Sequence, residues 1–65
     1  KITKQSNLKE GDIVFLTDYE TGVGIGHCGI YIGNGNFIHA STTTYTVTIS
    51  SLNTMYAGRF YAGLR

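Results

Sequence analysis

An α+β fold, a small antiparallel β-sheet with one short helix, is predicted for this 65-residue chain by three observations. Asn34-Gly35 separates two β-rich runs, and Asn-Gly is the strongest short hairpin signal because both positions of a primed turn need positive φ. A short apolar run, Ile13 to Leu16, follows a polar turn at Leu8–Asp12. Further on, Tyr45, Val47 and Ile49 alternate with Thr44, Thr46 and Thr48, the period of a strand with one polar face.

Taken in order, Asp12–Thr17 reads as a first strand. Val14 and Leu16 share one face and Ile13 and Phe15 the other, so the strand is expected to be buried on both sides. Thr17–Gly26 reads as a flexible loop, with Gly22, Gly24 and Gly26 spaced through it. A phosphate-binding glycine loop should open a helix, whereas this one leads into β structure. His27–Gly33 and Asn36–Ala40 form the hairpin. A plain two-residue loop would pair Ile30 with His39 and mix polar with apolar residues. A loop lengthened by a bulge pairs Tyr31 with His39 and segregates the faces. Cys28, Ile30, Ile32, Ile38 and Ala40 then form the expected core face, with His27, Gly29, Tyr31, Phe37 and His39 opposite. In that register the two histidines stand about 13 Å apart on a flat ladder, so twist must bring them together. Thr44–Ser50 is the next strand. Ser50 or Ser51 is placed to cap a short helix carrying Leu52, Met55 and Tyr56 and ending at Gly58, and Arg59–Leu64 is a last strand. No repeat, low-complexity segment or linker interrupts the chain.

The chain is one domain at most, and a short chain buries only about 60% of its unfolded surface. Its single cysteine closes no internal disulfide, so it has the size of a part of something larger. The net charge is +1, and no Lys or Arg lies between Glu10 and Gly58. Nucleic-acid binding, which needs clustered cations, is not supported. No apolar run approaches the roughly 20 residues of a membrane span, and no signal-peptide pattern opens the chain.

The chemistry-bearing residues lie in Gly26–Ala40, which holds both histidines and the cysteine. Zinc would accept His27, Cys28 and His39, but neighbours on a strand point to opposite faces. A metal set of the two histidines with Asp18 stays open. The same alternation argues against a Cys28–His27 catalytic pair, and Cys28 is expected to be a structural residue facing the core. His27 and His39 on one face have the arrangement of a base and its orienting partner.

The segments LKEGDIVFL, GHCGIYIGNGNFIHA and VTISSLNTMYAGRFYAGLR, in that order, resemble the C-terminal half of the NlpC (NlpC/p-sixty) family of bacterial cell-wall cysteine peptidases. The resemblance runs from Leu8 to Arg65. It implies the sheet half of a papain-like domain, with no cofactor, acting on peptidoglycan stem peptides outside the cell or in the wall. His27 matches the catalytic base, His39 the third residue of a Cys–His–His triad, and Asp12 a structural position. Cys28 falls where the family has a small apolar residue. The family's nucleophile lies in a DCSG-like helix start upstream of Lys1, so the N-terminal helical half is the expected partner of this sheet, and the chain alone is expected to be inactive. Two other readings stand beside it. Lipid-acting acyltransferases related to lecithin:retinol acyltransferase resemble the same hairpin but carry their cysteine downstream. A non-catalytic wall-binding module would keep the hairpin without the nucleophile.

Overall fold

The computed structural model describes residues 1–41 and 45–65. After a single 3₁₀ turn at Gln5–Asn7 come five strands: β1 (Ile13–Thr17), β2 (Ile25–Gly33), β3 (Asn36–Ala40), β4 (Val47–Ser51) and β5 (Phe60–Leu64). They form one antiparallel sheet in the order β4-β3-β2-β1-β5. The expected strands are present to within a few residues, and Thr44, the expected start of β4, lies outside the described residues.

The expected helix after Ser51 is not formed. Leu52 N–H donates to Gly35 O, which ties the segment to the hairpin turn. Ser51 Oγ accepts from Asn53 N–H in a local side-chain turn, and single-turn bonds from Ala57 to Thr54 and from Arg59 to Tyr56 follow. Asn, Thr and Gly favour such local bonding over helix propagation. Leu52 is fully buried and Tyr56 packs against the core while Met55 is exposed, so the segment is a loop pinned by Leu52 and Tyr56.

The hairpin turn is tight, with Asn34 at φ 56 and Gly35 at φ 79, and Tyr31 Oη accepts from Gly35 N–H at 2.8 Å. Gly33 pairs with Asn36, Tyr31 with Phe37, and Ile30 with Ile38. The extra residue therefore sits inside β2 at Ile32, not in the loop. The expected Tyr31–His39 pairing is replaced by a register shifted two residues along β2.

Which face is buried also differs from expectation. Val14, Leu16 and Phe37 are fully buried, and Leu8 and Leu52 close over them with Tyr31, Tyr56 and Phe60 packed around. The core thus lies on the histidine face. On the other face Leu64, Ile13, Ile30, Ile38 and Ile49 stand partner to partner across all five strands. Ile13, Ile30, Ile49 and Cys28 there are exposed. Hence β1 is buried on one face only, Cys28 does not point into the core, and Tyr45, Val47 and Ile49 are the exposed side of their segment. The apolar alternation had defined two faces, and Leu8 and Leu52, which lie outside it, cover only one.

Asp12 anchors the chain ends. Its Oδ2 accepts from Lys9 N–H at 2.8 Å, and Arg65 donates through Nε to Oδ1 at 3.0 Å and through Nη2 to Oδ2 at 2.9 Å. Almost fully buried, Asp12 is held at a pKa of about 2 by the Arg65 guanidinium first and the Lys9 amide second. Folding lowers this carboxyl from 3.8, so its stabilisation is complete above about pH 4 and is lost as pH falls toward 2. Urea denaturation across that window should show a steeper loss of stability for the native protein than for Asp12→Asn. Equal slopes would remove Asp12 from the acid response.

Candidate active site

His27 enters β2 opposite Leu16 of β1, on the core face. Continuing the Ile30–Ile38 register places His39 opposite Gly29. A Cβ on Gly29 would stand 2.7 Å from both Ile38 O and the Phe37 ring and 3.0 Å from His39 Cβ. The glycine leaves the space over which the two imidazoles approach. With His27 two residues from Gly29, the rings are diagonal neighbours, within reach of long side chains. The distance implied by the expected register does not arise.

His27 Nε2 lies 2.7 Å from His39 Nδ1, with the rings edge to face at 84°. His39 Nε2 in turn lies 2.8 Å from Ser50 Oγ on β4. His39 is buried and stacked on Phe37, centroids 4.5 Å apart at 25°, with Tyr56 against it edge-on at 5.4 Å. Its ring is therefore fixed by packing and by a hydrogen bond at each nitrogen. His27 is part-buried and lies near-parallel to Tyr56, centroids 6.4 Å apart.

Burial lowers the pKa of His27 from its ordinary 6.5, and the nearby Arg59 charge lowers it further. His39 is lowered by burial and then by His27. Among the described residues no carboxylate lies against either ring to offset the cost of charging it.

A cleft of about 470 Å³ opens beside His27 and includes Asp18, Tyr19, Glu20, Tyr56 and Arg59. Arg59 donates from Nη2 to Thr17 O at 2.9 Å, and its guanidinium lies 4.8 Å from the Tyr56 ring centroid and 5.3 Å from that of Tyr19. Asp18 is engaged within its own loop, where Oδ2 accepts from Thr21 N–H and Oγ1 at 2.9 and 3.0 Å. These bonds hold its carboxyl below the usual range. Among the described residues no three of His, Cys, Asp and Glu are gathered as a metal set, so the His27–His39–Asp18 alternative is not assembled. Cys28 pairs with Phe15 and occupies the opposite face from His27.

The model of the NlpC/P60 family matches residues 1–65. The chain belongs to the NlpC/P60 family. It is 48% identical over 65 residues to the probable endopeptidase NlpC homolog of Haemophilus influenzae, covering all of this chain and 31% of that protein. To the murein DD-endopeptidase MepS/murein LD-carboxypeptidase of Escherichia coli K12 it is 46% identical over 61 residues, 94% of this chain and 30% of the relative. A crystal structure of an NlpC/P60 family protein from Bacillus cereus superposes with a TM-score of 0.78 at 32% identity, over 98% of this chain and 21% of that one. The chain thus spans roughly a fifth to a third of the length of these relatives.

Of the residues that sequence reasoning singled out in this NlpC/P60 chain, the fold brings His27 and His39 together and sets Cys28 and Asp12 apart from them. It adds Ser50, Tyr56 and Arg59, none of which carried a site signal. Ser50 stands out only as a possible helix cap, and Tyr56 and Arg59 belong to the segment expected to be helical or to start the last strand.

Proposed function

We propose that this NlpC/P60 chain is the sheet portion of a cysteine peptidase that hydrolyses the peptide stems of bacterial peptidoglycan. The observation that supports this reading most directly is the 2.7 Å contact between His27 Nε2 and His39 Nδ1; among the described residues His27 Nδ1 has no hydrogen-bond partner, and His27 lines an open cleft. The relatives named above as endopeptidases, murein DD-endopeptidase among them, agree with it.

In this mechanism a cysteine outside the chain gives its thiol proton to His27 Nδ1, and the thiolate attacks the amide carbonyl carbon. The tetrahedral adduct collapses as the leaving amine takes the proton back from the His27 imidazolium, leaving a thioester. His27 then removes a proton from water as the oxygen adds to the thioester carbon; the departing thiolate takes that proton back from His27, and the released acid loses its own proton to solvent and leaves as a carboxylate. His39 accepts from His27 Nε2–H throughout and keeps Nδ1 turned to the cleft.

The Leu64–Ile13–Ile30–Ile38–Ile49 row is the surface we assign to the N-terminal helical half of the domain. An apolar face running across a whole sheet is more than a monomer normally leaves in water. On this reading Cys28 is covered when the halves meet, as a small apolar residue. The site of action is then outside the cell or in its wall.

The test is digestion of purified peptidoglycan by the full-length protein, with mass spectrometry of the released fragments. New amino and carboxyl ends within the stem peptides are expected, and binding without cleavage would favour the wall-binding alternative. Cys28→Ser in the same protein should keep turnover within about threefold, because the cysteine lies on the face away from His27. Loss of turnover in a folded Cys28→Ser protein would overturn the assignment of roles.

A further inference from the structure

We infer that Ser50 is a positioning residue for the base: its hydroxyl oxygen is the terminal acceptor that fixes the direction of the His27–His39 hydrogen-bond chain. The inference rests on the reading of His27 as the general base and follows from counting protons. A neutral imidazole carries one N–H. For His27 to take a proton at Nδ1, its own proton must sit on Nε2, where it donates to His39 Nδ1. His39 Nδ1 is then bare, so the His39 proton sits on Nε2 and has to be accepted there. Ser50 Oγ, at 2.8 Å, is the atom in that place.

The opposite polarity is just as consistent with the distances. Were Ser50 to donate to His39 Nε2, His39 would donate from Nδ1 to His27 Nε2. The His27 proton would then lie on Nδ1, facing the cleft, and the ring could not act as a base. The resting tautomer of His27 is thus decided two hydrogen bonds away, on a different strand. Among the described residues His39 Nε2 has no other hydrogen-bond partner, and the ring is almost fully buried between Phe37 and Tyr56. Ser50 itself is only part-buried, so its own O–H can turn to water while the oxygen accepts. A hydroxyl also differs from a carboxylate at this position. It orients the chain without adding negative charge, which agrees with both imidazoles being held below their ordinary pKa.

The register makes Ser50 specific for this task. His39 is paired across the strands with Thr48, yet its Nε2 reaches Ser50, the diagonal neighbour that is itself paired with Phe37.

The experiment compares Ser50→Thr and Ser50→Val in the full-length protein, since the two side chains have nearly the same shape and differ in the hydroxyl. Ser50→Thr should retain kcat/KM within about threefold, and Ser50→Val should lose about tenfold, a part of the roughly 10²–10⁴-fold that a general base contributes. Ring ¹⁵N shifts supply the readout that a purely structural role would not move. With Ser50 intact and the nucleophilic cysteine replaced by alanine, His27 and His39 should both be protonated at Nε2 at neutral pH. In Ser50→Val the proton population of His27 should move toward Nδ1. Equal activity of the Thr and Val proteins, or a His39 whose Nε2 is bare in the native protein, would overturn the inference. If the full-length protein cleaves nothing, the peptidase reading fails, while the ¹⁵N shifts still decide whether Ser50 accepts.

Discussion

His27→Ala in the full-length protein should lower kcat/KM on peptidoglycan fragments by at least about a thousandfold, within the range that a general base supplies. The side chain is only part-buried and its replacement opens toward the cleft, so the fold should survive. A denaturation midpoint close to that of the native protein is the control. His39→Ala should do less, because it leaves the base in place and removes only what orients it. The ordering is a consequence of the geometry, with His27 at the cleft and His39 behind it in the core. If His39→Ala were the more damaging for activity at equal stability, the two roles would have to be exchanged.

Phe37→Ala should be the most destabilising single change in the sheet. The ring is fully buried, stacks on His39 at 4.5 Å, meets Tyr56 edge-on at 5.2 Å and lies over Gly29. Removing a buried phenyl group costs about 3–5 kcal/mol, against total stabilities of about 5–15 kcal/mol for whole domains. Denaturant titration of the full-length protein reads the loss directly, and a change below about 1 kcal/mol would mean that the core is not where it is placed here. Activity should fall with stability, because the cavity frees the ring that holds His27. Phe37→Leu, which refills most of the volume, should recover part of both.

These effects converge on one small region, and its legibility from sequence was uneven for a definite reason. Alternation assigns residues to faces, and it did so correctly for His27, Tyr31, Phe37 and His39 against Cys28, Ile30 and Ile38. That assignment is unchanged by a two-residue slip. Pairing Tyr31 with His39 or with Phe37 preserves the same two faces, yet only the second brings the imidazoles into contact. The choice depends on whether the extra residue sits in the loop or at Ile32, which the Asn34-Gly35 signal does not specify. Nor does alternation say which face is covered. Both carry large apolar residues, and the cover on the histidine side comes from Leu8 and Leu52, in segments without strand period. Leu52, Met55 and Tyr56 have helical spacing, but the bond from Leu52 N–H to Gly35 O is a long-range contact that local sequence does not record. Ser50 was legible only as a possible helix cap. Its partner is His39, eleven residues earlier on a neighbouring strand.

The chain therefore carries two hydrogen-bonded imidazoles on one face, and on the other an apolar surface with the single cysteine on it. On the proposed function, His27 activates a cysteine other than Cys28. Brief alkylation of the full-length protein with iodoacetamide at pH 6, followed by peptide mapping, tests it most directly, because at that pH only a thiol with a lowered pKa reacts quickly. Rapid labelling of a cysteine upstream of this sheet is expected, strongly slowed in His27→Ala, with Cys28 reacting slowly in both proteins. Rapid labelling of Cys28 that depends on His27 would contradict the proposed function.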